Sequence, residues 1–240
     1  MYLLIDEKGR KYLVKGDKDV HTNYGVIKAE QLTEENVGKI IESHQGRKYG
    51  LIKPNIIDYM EKAKRGPQAM TVKDCAVIAG FTGIRGGSRV LEAGVGSGVL
   101  SIYLANVIAP ATLISYEIRE DFAKIAQDNF ERFGIGNIEI KMKNIYEGID
   151  ETDLDAISLD VPEPWLAVEH AASALKVGGY LSSYSPSIEQ NKKFVDALGD
   201  SFMHETIETI QRDWDMKVVR PFSRMIAHTG FITIARLLKR

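Results

Sequence analysis

Apolar residues recur along this chain at two spacings, and the change from one to the other marks its elements. Short aliphatic runs at 90–91, 112–116, 138–142, 154–159 and 180–184 have the length and composition of buried strands. Between them the apolar positions fall three and four residues apart, as on a helix face. The first set is Val99, Leu100, Ile102, Tyr103, Val107 and Ile108; the second is Phe122, Ile125, Ala126, Phe130 and Phe133; a third helix is expected over 167–175. Gly134 and Gly136 end the second helix and Gly178-Gly179 the third. Strand and helix in alternation predict an α/β fold whose parallel sheet is built by right-handed crossovers. Two further strands are expected at 203–210 and 231–237.

The N-terminal stretch has a different texture. Residues 2–5 and 11–14 flank Glu7-Lys8-Gly9-Arg10 and read as a β-hairpin. Short apolar pieces at 26–27 and 49–52, with a helix-like stretch over 34–42 between them, suggest a small β-barrel or sandwich. A short helix is expected over 54–64. Thr71, with Asp74 three residues on, is placed to cap a helix running through 78. The expected organisation is a β-rich domain with a linker helix over 1–69, then the α/β domain over 70–240.

The α/β pattern is organised around Val90-Leu91-Glu92-Ala93-Gly94-Val95-Gly96-Ser97-Gly98. A strand, a turn rich in residues without Cβ, and a helix form the nucleotide-binding opening of a doubly wound sheet. The next strand ends in Glu117, where an acid is placed to accept hydrogen bonds from the ribose hydroxyls of a nucleoside. The spacing is G-x-G-x-G, not G-x-G-x-x-G, and Glu92 ahead of the turn would repel a pyrophosphate. The pattern therefore favours S-adenosylmethionine, at Glu92, Gly94, Gly96, Ser97, Gly98 and Glu117, and at this point the chain resembles the Rossmann-like methyltransferases of class I. Nicotinamide binding, and a turn that only packs a helix on a strand, are the alternatives.

Composition narrows the setting. No apolar run in the 240 residues approaches the roughly 20 a membrane span needs, and 1–10 does not read as a secretory signal, so a cytoplasmic protein is expected. The lone Cys75 excludes a disulfide framework and a cysteine-based zinc site; beside Ala76, Val77 and Ile78 it reads as a small core residue. No metal is expected. A net charge of −2 is not that of a strongly basic nucleic-acid binder, so a polyanion must be met by local patches. Lys62, Lys64 and Arg65, before Gly66-Pro67-Gln68, form one, and Arg10 with Lys11 another; a solvated helix end is the plainer reading of the first.

The fourth strand of the α/β pattern ends in Asp160-Val161-Pro162-Glu163-Pro164-Trp165. Ligands of open α/β sheets sit outside the carboxyl ends of strands, so Asp160 is directed at the site of Gly96 and Glu117. A carboxylate, a turn stiffened by two prolines and an aromatic ring suit a flat base bearing an exocyclic amine. An Asx-type turn with a core tryptophan is the alternative.

Together, Glu92-Ala93-Gly94-x-Gly96-Ser97-Gly98, Asp160-x-Pro162-Glu163-Pro164-Trp165, Tyr184-Ser185-Pro186-Ser187-Ile188-Glu189-Gln190 and His228-Thr229-Gly230-Phe231 resemble the tRNA adenine-58 N1-methyltransferases. The β-rich N-terminal part and Arg65-Gly66-Pro67-Gln68 fit the same family, so the likeness covers nearly the whole chain. It implies an enzyme that methylates N1 of adenine 58 in the tRNA T-loop, and in some archaeal members adenine 57 as well. It implies Asp160 as the catalytic aspartate that also adjoins the cofactor, with Trp165, Tyr184 and His228 lining the base pocket. It also implies a homotetramer of the archaeal and bacterial type, with 203–210 and 231–237 as the antiparallel hairpin that completes the sheet. Residues 231–235 are either that internal strand or an assembly surface.

Two positions depart from the family pattern. Asn144 stands where the family has an aspartate against the cofactor adenine, and an amide can still exchange hydrogen bonds with an adenine edge. Thr71-Val72-Lys73-Asp74 replaces the usual Tyr-Pro-Lys-Asp, so one aromatic ring is missing. The rival readings are a small-molecule methyltransferase of the decarboxylating precorrin type and a non-catalytic tRNA-binding subunit. The first gives no role to the Asp160–Trp165 motif; the second would be expected to lose the glycine turn or Asp160.

Overall fold

The computed structural model describes residues 1–64, 66 and 69–240. Arg65, and Pro67-Gln68 of the expected linker, lie outside the described residues. The chain divides into two compact units, Met1–Lys62 and Ala63–Arg240.

In the first unit the alternating residues of β1 (Tyr2–Asp6) pair antiparallel with β2 (Lys11–Val14), as the hairpin pattern predicts. A two-stranded ribbon follows, β3 (Val20–Thr22) with β4 (Gly25–Ile27). The stretch 34–42 is not a helix. A single 3-10 turn at Glu34–Asn36 gives way to β5 (Ile40–Glu42), which pairs with β6 (Lys48–Ile52). Gly38 takes a left-handed φ of +87° that breaks the helical path, and the β-branched Ile40 and Ile41 favour the strand that follows. The sheet order β2-β1-β6-β5 is open, and Tyr2, Leu4, Ile27, Leu32, Ile41, Tyr49 and Leu51 form its core. The unit ends in α1 (Ile56–Lys62).

The second unit opens with α2 (Val72–Thr82), closed by left-handed Gly83. Then come β7 (Val90–Ala93), α3 (Val99–Ile108), β8 (Leu113–Glu117), α4 (Glu120–Phe133), β9 (Ile138–Met142), β10 (Leu154–Leu159) and α5 (Val168–Ala174). The chain continues through β11 (Leu175–Ser185), α6 (Ile188–Leu198), β12 (Phe202–Glu208), the two-stranded ribbon β13 (Trp214–Asp215) with β14 (Arg220–Pro221), and β15 (Phe231–Leu237). The seven-stranded sheet has the order β12-β15-β11-β10-β7-β8-β9, with β15 antiparallel to both neighbours and the β11-β10-β7-β8-β9 ladder parallel. This is the α/β Rossmann-like arrangement predicted. β15 lies inside the sheet with Ile232, Thr233, Ile234, Ala235 and Leu237 buried, so 231–235 is the internal strand and not an assembly surface.

Gly178-Gly179 does not end a helix. It lies within β11, because a Cβ at Gly179 would stand 2.9–3.1 Å from the carbonyl oxygens of Lys176, Asp155 and Leu154, where β10 and β11 slip register. α6 and the β13–β14 ribbon fall outside the elements expected from the apolar spacing. No helix among the described residues is long and apolar enough to cross a membrane.

Candidate active site

The chain leaves β7 for β8 and β9 on one side and returns to β10 on the other, so the strand order reverses between β7 and β10. Crevices at such a reversal, outside the carboxyl ends of the strands, are where α/β sheets bind ligands. Here the crevice is bounded by the glycine turn after β7 and by Asp160 after β10. Asp160 donates its N–H to Ala93 O at 2.8 Å, and Gly94 donates to Tyr116 O at 3.1 Å.

The three glycines serve three purposes. Gly94 has φ +85°, and a Cβ there would sit 2.0 Å from the Asp160 carbonyl oxygen, so only glycine lets the end of β10 lie against the turn. Gly96 would place a Cβ in open space, and its N–H reaches Glu117 Oε2 at 3.1 Å. Gly98 lies against the Phe130 ring, 2.5 Å from where its Cβ would be. Ser97 is buried, and its carbonyl accepts from Asn129 Nδ2 at 3.0 Å. Asn129 also brackets the backbone of Lys64, accepting from its N–H at 2.9 Å and donating to its carbonyl at 3.0 Å. The Lys64 backbone is thereby tied to the glycine turn.

Three carboxyl groups face this crevice. Glu117 is held by Ile118 N–H at 2.9 Å and Arg119 N–H at 3.0 Å on Oε1, which fixes the carboxylate before any ligand arrives. Glu92 is fully buried; Ser115 Oγ donates to its Oε2 at 2.9 Å, while Oε1 has no hydrogen-bond partner. Burial pushes its pKa up to about 8, the Ser101 and Ser115 hydroxyls work against this, and the Asp160 and Glu117 charges add to it. Burial therefore works against a charge on Glu92, so any repulsion of an anion from this residue is weaker than an exposed glutamate would give. Asp160 is half-buried, and burial pushes its pKa up to about 7.

These features fit S-adenosylmethionine. An ordered carboxylate stands at the end of β8 for a ribose diol, an unpartnered oxygen on Glu92 awaits a donor, and the Gly96 side of the turn is open. The Glu117 carboxylate, with Asp160 when ionised, also favours a ligand bearing a sulfonium and an ammonium. Asn144 caps the turn at Ile145–Glu147, its Oδ1 accepting from Tyr146 N–H at 3.0 Å and its Nδ2 donating to Glu147 Oε1 at 3.1 Å. One lone pair and one N–H are left for an adenine edge. Among the described residues, no group of three His, Cys, Asp or Glu side chains is arranged to hold a metal ion.

The turn after Asp160 is pinned from both sides: Glu163 N–H donates to the Tyr146 hydroxyl at 2.9 Å and Gln190 Nε2 to Pro162 O at 3.2 Å. Trp165 is half-buried, with the Lys193 ammonium 5.0 Å from its ring centroid. Tyr184, at the end of β11, donates its hydroxyl to Thr229 O. Burial pushes its pKa up to about 12, and the charges of Asp74 and Asp160 add to this. His228 has both ring nitrogens engaged, Nδ1 with Glu208 Oε1 at 2.6 Å and Nε2 with Pro186 O at 3.1 Å. Those two acceptors raise its pKa, the carboxylate more than the carbonyl, so only a ring face remains for a ligand.

Of the basic residues named from the sequence, Lys64 Nζ lies 3.9 Å from Asp128 on an exposed surface, and Lys62 closes α1. Arg10 is paired with Asp6, and Lys11 with both Asp58 and Glu61, so these two are neutralised within the first unit. Sequence reasoning missed Tyr146 and Asn129. For Asn129 a signal existed: a polar residue standing among Ala126, Phe130 and Phe133 on the inward face of α4.

Comparison with known proteins follows the same lines. The family model described as "tRNA methyltransferase complex GCD14 subunit" matches residues 62–220. The tRNA (adenine(57)-N(1)/adenine(58)-N(1))-methyltransferase TrmI of Methanocaldococcus jannaschii is 37% identical over 98% of this chain and 94% of its own length. A SAM-dependent O-methyltransferase from Thermotoga maritima superposes with a TM-score of 0.91 and 34% identity, covering 100% of this chain and 93% of that one. The tRNA (m1A58) methyltransferase TrmI of Aquifex aeolicus superposes with a TM-score of 0.85 and 26% identity, covering 100% and 98%. With its glycine turn, its Asp160 motif and these full-length matches, the chain belongs to the GCD14/TrmI family of tRNA methyltransferases.

Proposed function

We propose that this protein transfers a methyl group from S-adenosylmethionine to N1 of adenine 58 in the T-loop of tRNA. The observation that carries the reading is the packing of Asp160 on Gly94, which brings this acid and the glycine turn together at the ends of adjacent strands. Bound there by Glu92, Gly94, Gly96, Ser97, Gly98, Glu117 and Asn144, the cofactor would supply an electrophilic methyl on a sulfonium. Adenine N1 has a free lone pair at neutral pH, so the protein needs no general base. Its tasks are to exclude water, align the base and stabilise the positive charge that develops on adenine. Asp160 does the last by accepting a hydrogen bond from the N6 amine, onto which that charge spreads. Trp165, Tyr184 and His228 offer ring faces around the base.

A small-molecule methyltransferase would give no role to the first unit, which the M. jannaschii relative's alignment spans. A non-catalytic subunit would have no need of the intact glycine turn and Asp160. The test is mass spectrometry of tRNA incubated with the protein and labelled cofactor. A labelled methyl on N1 of adenine 58 is expected, and the same spectrum reads adenine 57; label on oxygen only, or none on tRNA, sinks the reading.

Two further results are expected. Glu117→Ala should weaken adenosyl-homocysteine binding by at least about fivefold in calorimetry, as loss of a charged acceptor implies; unchanged affinity would remove Glu117 from the site. Changing Lys62, Lys64 and Arg65 together to alanine should weaken tRNA binding, and lower the slope of log K against log salt by about 2. Cofactor affinity should stay constant.

The assembly is a homo-oligomer, a tetramer, working in the cytoplasm. Its support is the segment 209–230, which leaves Ile210, Trp214, Met216, Val218, Val219, Phe222, Met225 and Ile226 exposed, apolar side chains that a second subunit would cover. Light scattering that finds a fully active monomer would rule this out.

A further inference from the structure

The segment 209–230 leaves the sheet after β12 and re-enters it at β15, and its two roots, Thr209 and Thr229, meet at one side chain. Lys73 Nζ, in the first turn of α2, donates to Thr229 Oγ1 at 2.6 Å and to Thr209 Oγ1 at 3.1 Å. The same ammonium donates to Asp74 Oδ1 at 2.6 Å. Asp74 is fully buried, and it accepts in addition from Thr209 Oγ1 at 3.2 Å and from Thr71 Oγ1 at 2.7 Å. Thr71 was expected to cap α2 by accepting from a backbone N–H; instead its hydroxyl donates to the Asp74 carboxylate.

All the donors of this network converge on one carboxylate, and the Lys73 side chain is 16% exposed. A buried pair of this kind does little for net stability once desolvation is counted. What it fixes is geometry. Breaking it would leave the Asp74 charge uncompensated and release both roots of 209–230 together. One root continues directly into the base side of the crevice: the Thr229 carbonyl accepts from the Tyr184 hydroxyl, and Gly230 packs so closely on that ring that a Cβ would lie 2.4 Å from it.

We infer that Lys73 and Asp74 form a clamp that closes the base of the 209–230 segment and, through Thr229, positions Tyr184 at the base pocket. Lys73 touches neither cofactor nor base in this account and is a positioning residue. The inference rests on the tRNA-methyltransferase reading for its effect on rate, but not for its effect on the segment.

The test uses the full-length protein and two readouts. In Lys73→Met, hydrogen–deuterium exchange should rise across 210–228 while the rest of the sheet keeps its protection. Turnover on tRNA should fall about tenfold or more, as misplacement of a pocket wall implies, and adenosyl-homocysteine should bind as in the wild type. Should Lys73→Met fail to fold, the double variant Thr209→Val with Thr229→Val leaves the buried pair intact and should give the same local exchange. Where Lys73→Met folds, adding Thr229→Val to it should change the rate no further, since both remove one interaction. Wild-type exchange in 210–228, or additive losses in rate, would overturn the clamp. A wild-type protein that methylates no tRNA would instead defeat the functional reading, and the exchange measurement would still judge the clamp.

Discussion

Asp160→Ala is expected to bind adenosyl-homocysteine and tRNA within a few-fold of the wild type and to lose about 10²–10³ in turnover. That is the range seen when one preorganised group facing a developing charge is removed. The effect should fall on kcat because the N6 amine becomes a better donor only as N1 takes up the methyl and adenine turns cationic. A variant that turns over at the wild-type rate would end the mechanism.

The pH dependence of the same residue gives an independent reading. Its carboxyl titrates at about 7 in the free protein and must be ionised to act, so kcat/KM should rise with pH through about 7 and level off above it. Saturating cofactor should move this limb to lower pH, since a cation held in the crevice would favour the ionised form of the acid. Stability should run the other way. The folded pKa lies above the ordinary value of 3.8, so the native state holds the extra proton between the two values and stability falls as pH rises from about 4 to 7. Asp160→Asn lacks this loss. Its melting temperature should therefore exceed that of the wild type at pH 8 by more than it does at pH 5, a gain in stability at the cost of activity.

Gly94→Ala is expected to produce the second large effect, on folding. A methyl group at this position would lie 2.0 Å from a backbone oxygen and 2.8 Å from a backbone carbon, and neither can swing aside as a side-chain end would. The residue also occupies φ +85°, which an L side chain adopts only under strain. About 3 kcal/mol or more of stability should be lost, lowering the melting temperature by roughly 6–12 °C at this chain length. Gly96→Ala makes the comparison: its φ is also positive, but its Cβ would meet nothing. It should be milder in the melt and weaken the cofactor more than the fold. Equal melting temperatures for the two would show that the Asp160 carbonyl is free to move away.

How much of this was legible in the chain depends on the range of the interaction. The glycine turn, the helix after it and Glu117 lie within 30 residues of one another, and each is dictated by backbone sterics or apolar period. The position of Asp160 was legible as well, because the carboxyl ends of parallel strands converge whatever the detailed packing. The 34–42 segment misled because its charged residues mimic a helix face, while Gly38 and the pairing of Ile40 with Gly50 decide for a strand. The end of α5 misled for a related reason: Gly178-Gly179 reads as a helix stop locally, but what requires glycine there is the approach of β10.

The amino-acid sequence by itself therefore determined the sheet, the turn that opens the site and the acids placed at its strand ends. Only the tertiary structure decided what state those acids are in. Glu92 is an ordinary glutamate in the sequence and a carboxyl that resists ionisation in the fold, because burial raises the cost of its charge by more than the Ser101 and Ser115 hydroxyls offset. Only the tertiary structure, too, joined Lys73 to Thr209 and Thr229, which stand 136 and 156 residues away along the chain, and Lys64 to Asn129, 65 residues away. Local sequence fixes backbone conformation through sterics that act over a few residues. Desolvation and hydrogen bonds between distant segments exist only once packing has brought those segments together, so no pattern along the chain records them.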